Sequence, residues 1–345
     1  MKLSIIIICK NEERHIGACI DAALRASRHF DNTEVILVDS CSIDETVRIA
    51  KQYPIVVLQL RAHWRQTPAA GRVIGFLQSN GEFVMFVDGD SIICEGFLKE
   101  ALFRFEENPK VAAISGRRRE IYWKGSTVVG EERDINKVGP AIRSISVAPG
   151  SAIYRRTALN RVGCFNPYLF AEEEAELGER LIWGGFDILA LPIDMVVHNT
   201  VPRERISSLF RRMKNRFHLG LGQVIRYRVH EGRPVRAFLA GANRALQFLV
   251  WFVAGCLSAG ISALTNCWFV ALSWMVISVF LILGFMVKSR SLTKPFRYIV
   301  IWSVQAYSII RGFLLEPVSP SRYPTDVIVL KEAGYPLTTK AEGAT

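Results

Sequence analysis

Asp88-Gly89-Asp90 stands directly behind the apolar run Phe83-Val84-Met85-Phe86-Val87. In an extended chain two carboxylates spaced this way project to one side. Such a pair can share a hard divalent cation, Mg²⁺ or Mn²⁺, with phosphate oxygens filling the remaining positions. Gly89 would leave a ligand room to approach. Solvated turns carry the same triplet, so its place at the end of a buried run is what points to a metal. Asp39 ends another apolar run, where it can accept hydrogen bonds from a nucleobase or ribose; Ser42 or Asp44 can then cap the next helix. Arg72 lies among small residues, Thr67 to Gly75, and is open to two readings: partner of a phosphate-bearing ligand, or surface cation. Glu172 to Arg180 begins with carboxylates. They suit a helix N-terminus for dipole reasons, and their crowding also suits a general base, because like charges raise one another's pKa. Glu173, Glu174 and Glu176 compete for that role. His198 closes the run Met195-Val196-Val197; it reads as a structural histidine or as an imidazole completing the site of the two aspartates.

The elements that must hold these residues follow from periodicity. Leu3–Cys9, Glu34–Val38, Ile55–Gln59 and Glu82–Val87 read as strands. Segments 13–27, 43–52 and 67–79 read as helices. Alternation of this kind, with strands apolar throughout, predicts an α/β fold with a mostly parallel sheet covered on both faces. Its ligands sit beyond the carboxyl ends of the strands, where Asn11-Glu12, Asp39 and Asp88-Gly89-Asp90 fall. There is no GxGxxG after the first strand and no GxxxxGK[ST], which disfavours a dinucleotide enzyme or a P-loop NTPase. The run Leu3–Cys9 is short for a secretory leader and passes directly into Lys10-Asn11-Glu12-Glu13, so a buried strand is expected.

Composition then divides the chain. It has 345 residues, 50% of them hydrophobic, and a net charge of +11. Disordered and low-complexity classes are excluded. Seven cysteines without a CxxC pair fit neither a disulfide framework nor a zinc cluster, and suit a reducing cytosol. From Leu246 to Val287 no Asp, Glu, Lys, Arg or His occurs over 42 residues. One helix of that length would be roughly 63 Å long, about twice a bilayer core, so two spans folded back at Leu264–Cys267 are expected. Residues 203–236 hold ten Lys or Arg against two Glu, with Ile206, Leu209, Phe210, Met213, Phe217 and Leu221 at helical spacing. That pattern predicts amphipathic helices over 203–244 on an anionic membrane surface. With Lys288, Arg290, Lys294 and Arg297 on the far flank, the positive-inside rule puts residues 1–202 in the cytoplasm, on a multi-pass inner-membrane protein. Residues 298–315 read as an interfacial helix or a third span, and the Pro-rich 316–345 as an extended tail. The excess of positive charge lies beside the spans and not among interleaved aromatics, which argues against nucleic acid.

Taken in order, the motifs resemble glycosyltransferase family 2, of the GT-A fold. Ser4 to Glu12 is similar to its first strand and N-E, and Val38-Asp39-Ser40-Cys41-Ser42-Ile43-Asp44-Glu45-Thr46 to its V-D-D-G-S-x-D-x-T. Pro68 to Gly81 resembles its P-x-x-A-R-N-x-G stretch, Asp88-Gly89-Asp90 its D-x-D, and Glu173-Glu174-Ala175-Glu176-Leu177 its E-D-x-[DE]-L. The resemblance implies an inverting transfer from a nucleotide-diphospho-sugar to a lipid-linked saccharide hydroxyl. It gives Asn11, Glu12, Asp39, Arg72, Asp88 and Gly89 to the nucleotide-sugar, and Asp88, Asp90 and His198 to Mg²⁺ or Mn²⁺. Glu174, with Glu173 beside it, would be the base, and Arg212 and Arg216 would face the diphosphate or acceptor. Ser40 departs from the second Asp of V-D-D, and Glu174 from the usual Asp. Two alternatives stay open: a polyprenyl-phosphate glycosyltransferase, whose acceptor needs no base, and a non-catalytic membrane scaffold. Too few spans and a missing Q-x-x-R-W speak against a processive synthase.

Overall fold

The isoleucines of Leu3–Cys9 decide the layering, because alternate side chains of a strand face opposite ways. The computed structural model describes residues 2–202 and 213–332, with the backbone alone for 236–243. It divides into two units, Met1–Arg205 with Val318–Thr345, and Ile206–Pro317.

The first unit opens with β1 (Lys2–Cys9), α1 (Ile16–Ser27), β2 (Asn32–Asp39), α2 (Thr46–Ala50), β3 (Val56–Gln59), α3 (Pro68–Leu77) and β4 (Phe83–Asp88). These match the elements expected from periodicity to within a few residues. There follow β5 (Ser91–Ile93), α4 (Phe97–Glu107), β6 (Val111–Lys124), β7 (Thr127–Glu132), β8 (Arg143–Ser144), β9 (Ala152–Arg155), α5 (Arg156–Val162), α6 (Glu173–Trp183) and β10 (Asp187–Thr200). Leu3, Ile5 and Ile7 of β1 pack into a core shared with α1, α2 and α4, and Ile6 and Ile8 into one shared with α3, α5 and α6. A strand buried on both faces has no polar side, hence the apolar run Ile5–Cys9; the buried Ser4 before it donates to Glu34 Oε1 at 2.6 Å.

The strands lie in the order β11-β3-β2-β1-β4-β9-β6-β10-β5, where β11 is Ile328–Lys331 near the end of the chain. The sheet is mixed. It is parallel across β3, β2, β1 and β4 and again between β6 and β10, but β9 runs against both β4 and β6. In the parallel part Cys9 is level with Asp39, and Ile8 with Asp88. One rim of the sheet therefore collects Asp39, the Asn11-Glu12 turn and the Asp88-Gly89-Asp90 turn.

The tail corrects an expectation. Within 316–345, Ile328 pairs with Gln59 and Val329 with Leu58 in antiparallel sense, so part of it covers the edge of β3 that would otherwise lie open. Tyr323 is buried against Trp64 and Tyr168 and donates its hydroxyl to the Arg65 carbonyl at 2.7 Å.

The second unit is helical: α7 (Gly220–His230), α8 (Arg236–Thr265), α9 (Phe269–Ser289) and α10 (Lys294–Phe313). Among the described residues two helices are long and apolar enough to cross a membrane. They are Arg244–Thr265 and Phe269–Ser289; their most apolar 18-residue stretches have mean hydropathies of 1.9 and 2.5 and are only 17% and 6% buried. The chain turns between them at residues 266–268, with Asn266 at φ 53°. Trp274 packs on Gly255 and donates to the Trp251 carbonyl at 3.3 Å, while Trp251 donates to Ser278 Oγ at 3.1 Å. Both indole N–H groups are thus satisfied between the helices, as an apolar surrounding demands. The residues of α7 and α10 meet backbone to backbone through Gly222 and Gly312, where any Cβ would collide. The basic segment expected as helices over 203–244 contains a 3₁₀ turn at Phe217–Leu219, then α7 and the start of α8; residues 203–212 lie outside the described residues.

Candidate active site at the rim of the sheet

Helix α3 starts where Thr67 accepts the Ala70 N–H at 3.1 Å and Pro68 fills the first turn. Gly71 and Gly75 let it lie directly on β1: a Cβ on Gly75 would overlap Ile6, and one on Gly71 would press on Ile8. That close seat sinks Arg72 to 2% exposure. Arg72 is therefore no surface cation. Its Nη1 donates to Glu173 Oε1 at 2.8 Å and its Nη2 to Asp88 Oδ1 at 2.9 Å, with Glu174 Oε1 3.8 Å from Nη1. The guanidinium lies over the Phe165 ring, which packs edge-on with Phe86 and Tyr154. Burial alone would lower its pKa, but the carboxylates of Asp88, Glu174 and Glu173 more than offset that and hold it charged.

The three glutamates competing for the base role separate cleanly. Glu176 is held by Arg180 through two bonds of 2.7 Å, and Arg180 also clasps the carbonyls of Val162, Gly163 and Cys164. Glu173 is buried on Arg72; burial raises its pKa and Arg72 opposes the rise. Glu174 keeps 27% of its side chain exposed. Burial and the neighbouring Glu173 push it up to about 7, against the pull of Arg72. Gly150 completes the cluster. A Cβ there would lie 2.5 Å from Arg72 Nη2 and 3.0 Å from Glu174 Oε1, so only glycine leaves the pair in place.

The aspartates of the D-G-D turn take different partners. Asp88 faces Arg72, whereas Asp90 Oδ2 lies 3.2 Å from His198 Nε2. The backbone carbonyl of Asp90 accepts from the backbone and side-chain N–H groups of Asn199 at 2.9 and 3.1 Å. The antiparallel pairing of β5 with β10 sets Ser91 opposite His198, and this brings the imidazole to Asp90. A Cβ on Gly89 would stand 2.8 Å from Cys9 Cβ, and its N–H donates to the Ile8 carbonyl at 2.9 Å. Its role is the close approach to β1.

Glu12 lies where both aspartates act on it. Burial first, then Asp90, Asp88 and Asp44, push its carboxyl up to about 8. Asn11, at φ 57°, accepts the Ile43 N–H at 2.9 Å and gives its own N–H to Ser42 Oγ at 2.8 Å. Asp39 is fully buried and accepts from the Ser42 N–H and from Gln59 Nε2, both at 2.9 Å. Asp44 receives the Thr46 N–H at 3.1 Å from one position before the N-cap, which is Glu45 and not the expected Ser42 or Asp44. Arg216 lies in the second unit, at φ 60° before the 3₁₀ turn; Arg212 is outside the described residues.

Among the described residues no three His, Cys, Asp or Glu side chains form a ready-made metal site. Asp90 and His198 nevertheless fit neighbouring ligands of one cation. Their donor atoms are 3.2 Å apart, the spacing of adjacent corners when bonds are about 2.1–2.2 Å.

This geometry has relatives. The family model for glycosyl transferase family 2 matches residues 4–163. Those residues are a glycosyl transferase family 2 domain. The mixed α/β sheet of the first unit resembles the GT-A fold, but it is not the mostly parallel sheet that the sequence predicts, because β5, β7, β8, β9 and β11 pair in antiparallel sense. Over 127 residues the chain is 31% identical to poly(ribitol-phosphate) beta-N-acetylglucosaminyltransferase TarS of Staphylococcus aureus, covering 34% of this chain and 22% of TarS. Over 194 residues it is 22% identical to the O-antigen chain rhamnosyltransferase WbaN of Salmonella anatum, covering 52% of this chain and 61% of that protein. The crystal structure of S. aureus TarS 1-349 in complex with UDP-GlcNAc matches with a TM-score of 0.49 at 22% identity, covering 60% of this chain and 61% of that one. The chain thus spans about a fifth of the length of full TarS.

Sequence reasoning missed Glu120, Gly150, Trp123 and Asn199. Trp123 donates to Asn199 Oδ1 at 2.9 Å, which ties the β6–β7 hairpin to the carbonyl of Asp90. Nothing in the spacing along the chain links Glu120, Trp123 and Asn199 to the Asp90 turn; the pairing of β10 with β6 and β5 does.

Proposed function

We propose that the chain is an inverting glycosyltransferase, moving a sugar from a nucleotide-diphospho-sugar to a hydroxyl of a lipid-linked saccharide at the cytoplasmic face of a membrane. The observation that carries this reading is the state of Glu174. It is the one carboxylate of its cluster that is open to solvent while held near a pKa of about 7. A phosphate acceptor is already ionised and has no use for such a group; a sugar hydroxyl needs it. Glu174 takes the hydroxyl proton as the oxygen attacks the anomeric carbon, on the face opposite the departing diphosphate, and configuration inverts. Glu173 and Asp88 fix Arg72, and Arg72 in turn fixes the line of approach of Glu174.

On this reading Asn11, Glu12 and Asp39 bind the nucleoside from the rim of β1 and β2. Asp90 and His198 hold Mg²⁺ or Mn²⁺, with Asp88 beside them. When bound, the ion supplies positive charge against the diphosphate as it leaves. Helices α8 and α9 cross the membrane with their basic flanks on the cytoplasmic side. The relatives' names concern ribitol-phosphate and O-antigen chains, which supports a polysaccharide acceptor.

The test is transfer of labelled sugar by membranes carrying the full chain, across a panel of nucleotide-sugars and lipid-linked saccharides, with and without EDTA. We expect divalent-dependent transfer, and a loss of about 10²–10⁴-fold in Glu174→Gln, the usual worth of a general base. Near-normal activity of that variant would transfer the reading to a phosphate acceptor. Absence of transfer across the panel would overturn it.

A further inference from the structure

Glu120 has no part in the reaction outlined above, yet it is one of the few acids fully sunk in the first unit. The pairing of β10 with β6 sets it level with His198. Its Oε1 lies 3.7 Å from His198 Nδ1, on the side of the ring away from Asp90. His198 Nδ1 is buried and makes no hydrogen bond among the described residues. Glu120 is itself braced from its own strand face: Arg118 Nη2 donates to Oε1 at 2.6 Å, and the Tyr122 hydroxyl to Oε2 at 2.8 Å. Residues two apart on a strand share a face, so Arg118, Glu120 and Tyr122 form one supported unit behind the imidazole.

A neutral imidazole has one N–H and one lone pair, and the hydrogen bond made by one nitrogen decides what the other presents. We propose that Glu120 is the positioning residue of His198: its carboxylate, 3.7 Å from Nδ1, favours the proton on that nitrogen by charge and so keeps the Nε2 lone pair turned toward Asp90 and the cation site. The anion also makes the imidazole a stronger donor to a cation, as carboxylates behind metal-binding histidines do. This rests on the reading of Asp90 and His198 as cation ligands.

The test uses the full chain in detergent micelles, with Mn²⁺ and inorganic pyrophosphate as probes. Free Mn²⁺ is followed by electron paramagnetic resonance, and imidazole nitrogen coupling by spin echo. In the wild type we expect Mn²⁺ uptake with nitrogen coupling, and in His198→Ala weaker uptake without it. Glu120→Gln keeps the shape and loses the charge; it should weaken Mn²⁺ binding about 10- to 100-fold and diminish the nitrogen coupling. In a His198→Ala background the same change should cost nothing more, because its effect passes through the ring. Glu120→Ala, with its metal-free melting temperature measured alongside, serves as the second variant. Wild-type affinity in Glu120→Gln overturns the inference alone, as does an equal loss with and without His198. No Mn²⁺ uptake by the wild type overturns the cation reading and this inference together.

Discussion

The sheet rim of the first unit and helix α9 of the second treat charge in opposite ways. In the first, an arginine is sunk to 2% exposure and surrounded by carboxylates, so the interior holds charge and pairs it. In the second, α9 carries no charged residue before Lys288 and turns large side chains such as Phe280, Leu281 and Phe269 outward. A buried ion pair costs desolvation and repays it only with good geometry; outward-facing leucines and phenylalanines are stable only where the surroundings are themselves apolar. The first unit keeps paired charge inside, and α9 presents apolar side chains at its surface.

Several substitutions would break or sharpen that contrast. The largest effect belongs to Arg72→Met. It leaves Glu173 and Asp88 without their cation, and should cost about 3–5 kcal/mol of stability, read as a lower denaturation midpoint, together with nearly all transfer. Unchanged stability would mean that the charges inside the first unit are not truly desolvated. Next comes Phe280→Asp, at an exposed position near the middle of α9. In water such a change is close to neutral. In a bilayer it costs about 2.5–3.5 kcal/mol, read as reduced membrane insertion, so an undisturbed variant would remove the apolar-exterior reading.

Smaller is the pH response. Glu174 is raised to about 7, so it must lose its proton to act as base. kcat/KM should fall about tenfold per unit as pH drops below about 7, and this limb should vanish in Glu174→Gln. The smallest effect concerns Glu12, raised to about 8 in the folded chain. A carboxyl raised on folding stabilises most below its unfolded pKa, and that contribution is lost as pH rises toward 8. Glu12→Gln should therefore raise the melting temperature at pH 9 relative to wild type, and have little effect near pH 5. Added Mn²⁺ should narrow the difference.

The strands of the rim were legible because burial on both faces leaves an unmistakable apolar run, and Asp39 and Asp88 close two of those runs. The side-chain partners were not. Arg72 between small residues reads equally well as a surface cation, since nothing local tells that α3 lies flat on β1 and turns the guanidinium toward α6. Glu174 stood out from Glu176 only once Arg180 was seen to occupy the latter. Glu120 sits in a strand whose alternation of Arg118, Glu120 and Tyr122 marks a polar face, but its partner is fixed by a register that the sequence does not display. The tail strand had a signal, Val327-Ile328-Val329-Leu330, which the surrounding prolines masked.

That tail strand constrains any attempt to isolate the first unit. The chain leaves this unit at Arg205 and supplies β11 only after Pro317. A truncation stopping before the helices would strip β3 of its neighbour, uncover Leu330's place on the core, and present an adhesive border to other molecules. An isolated first unit therefore has to carry residues 318–332 along.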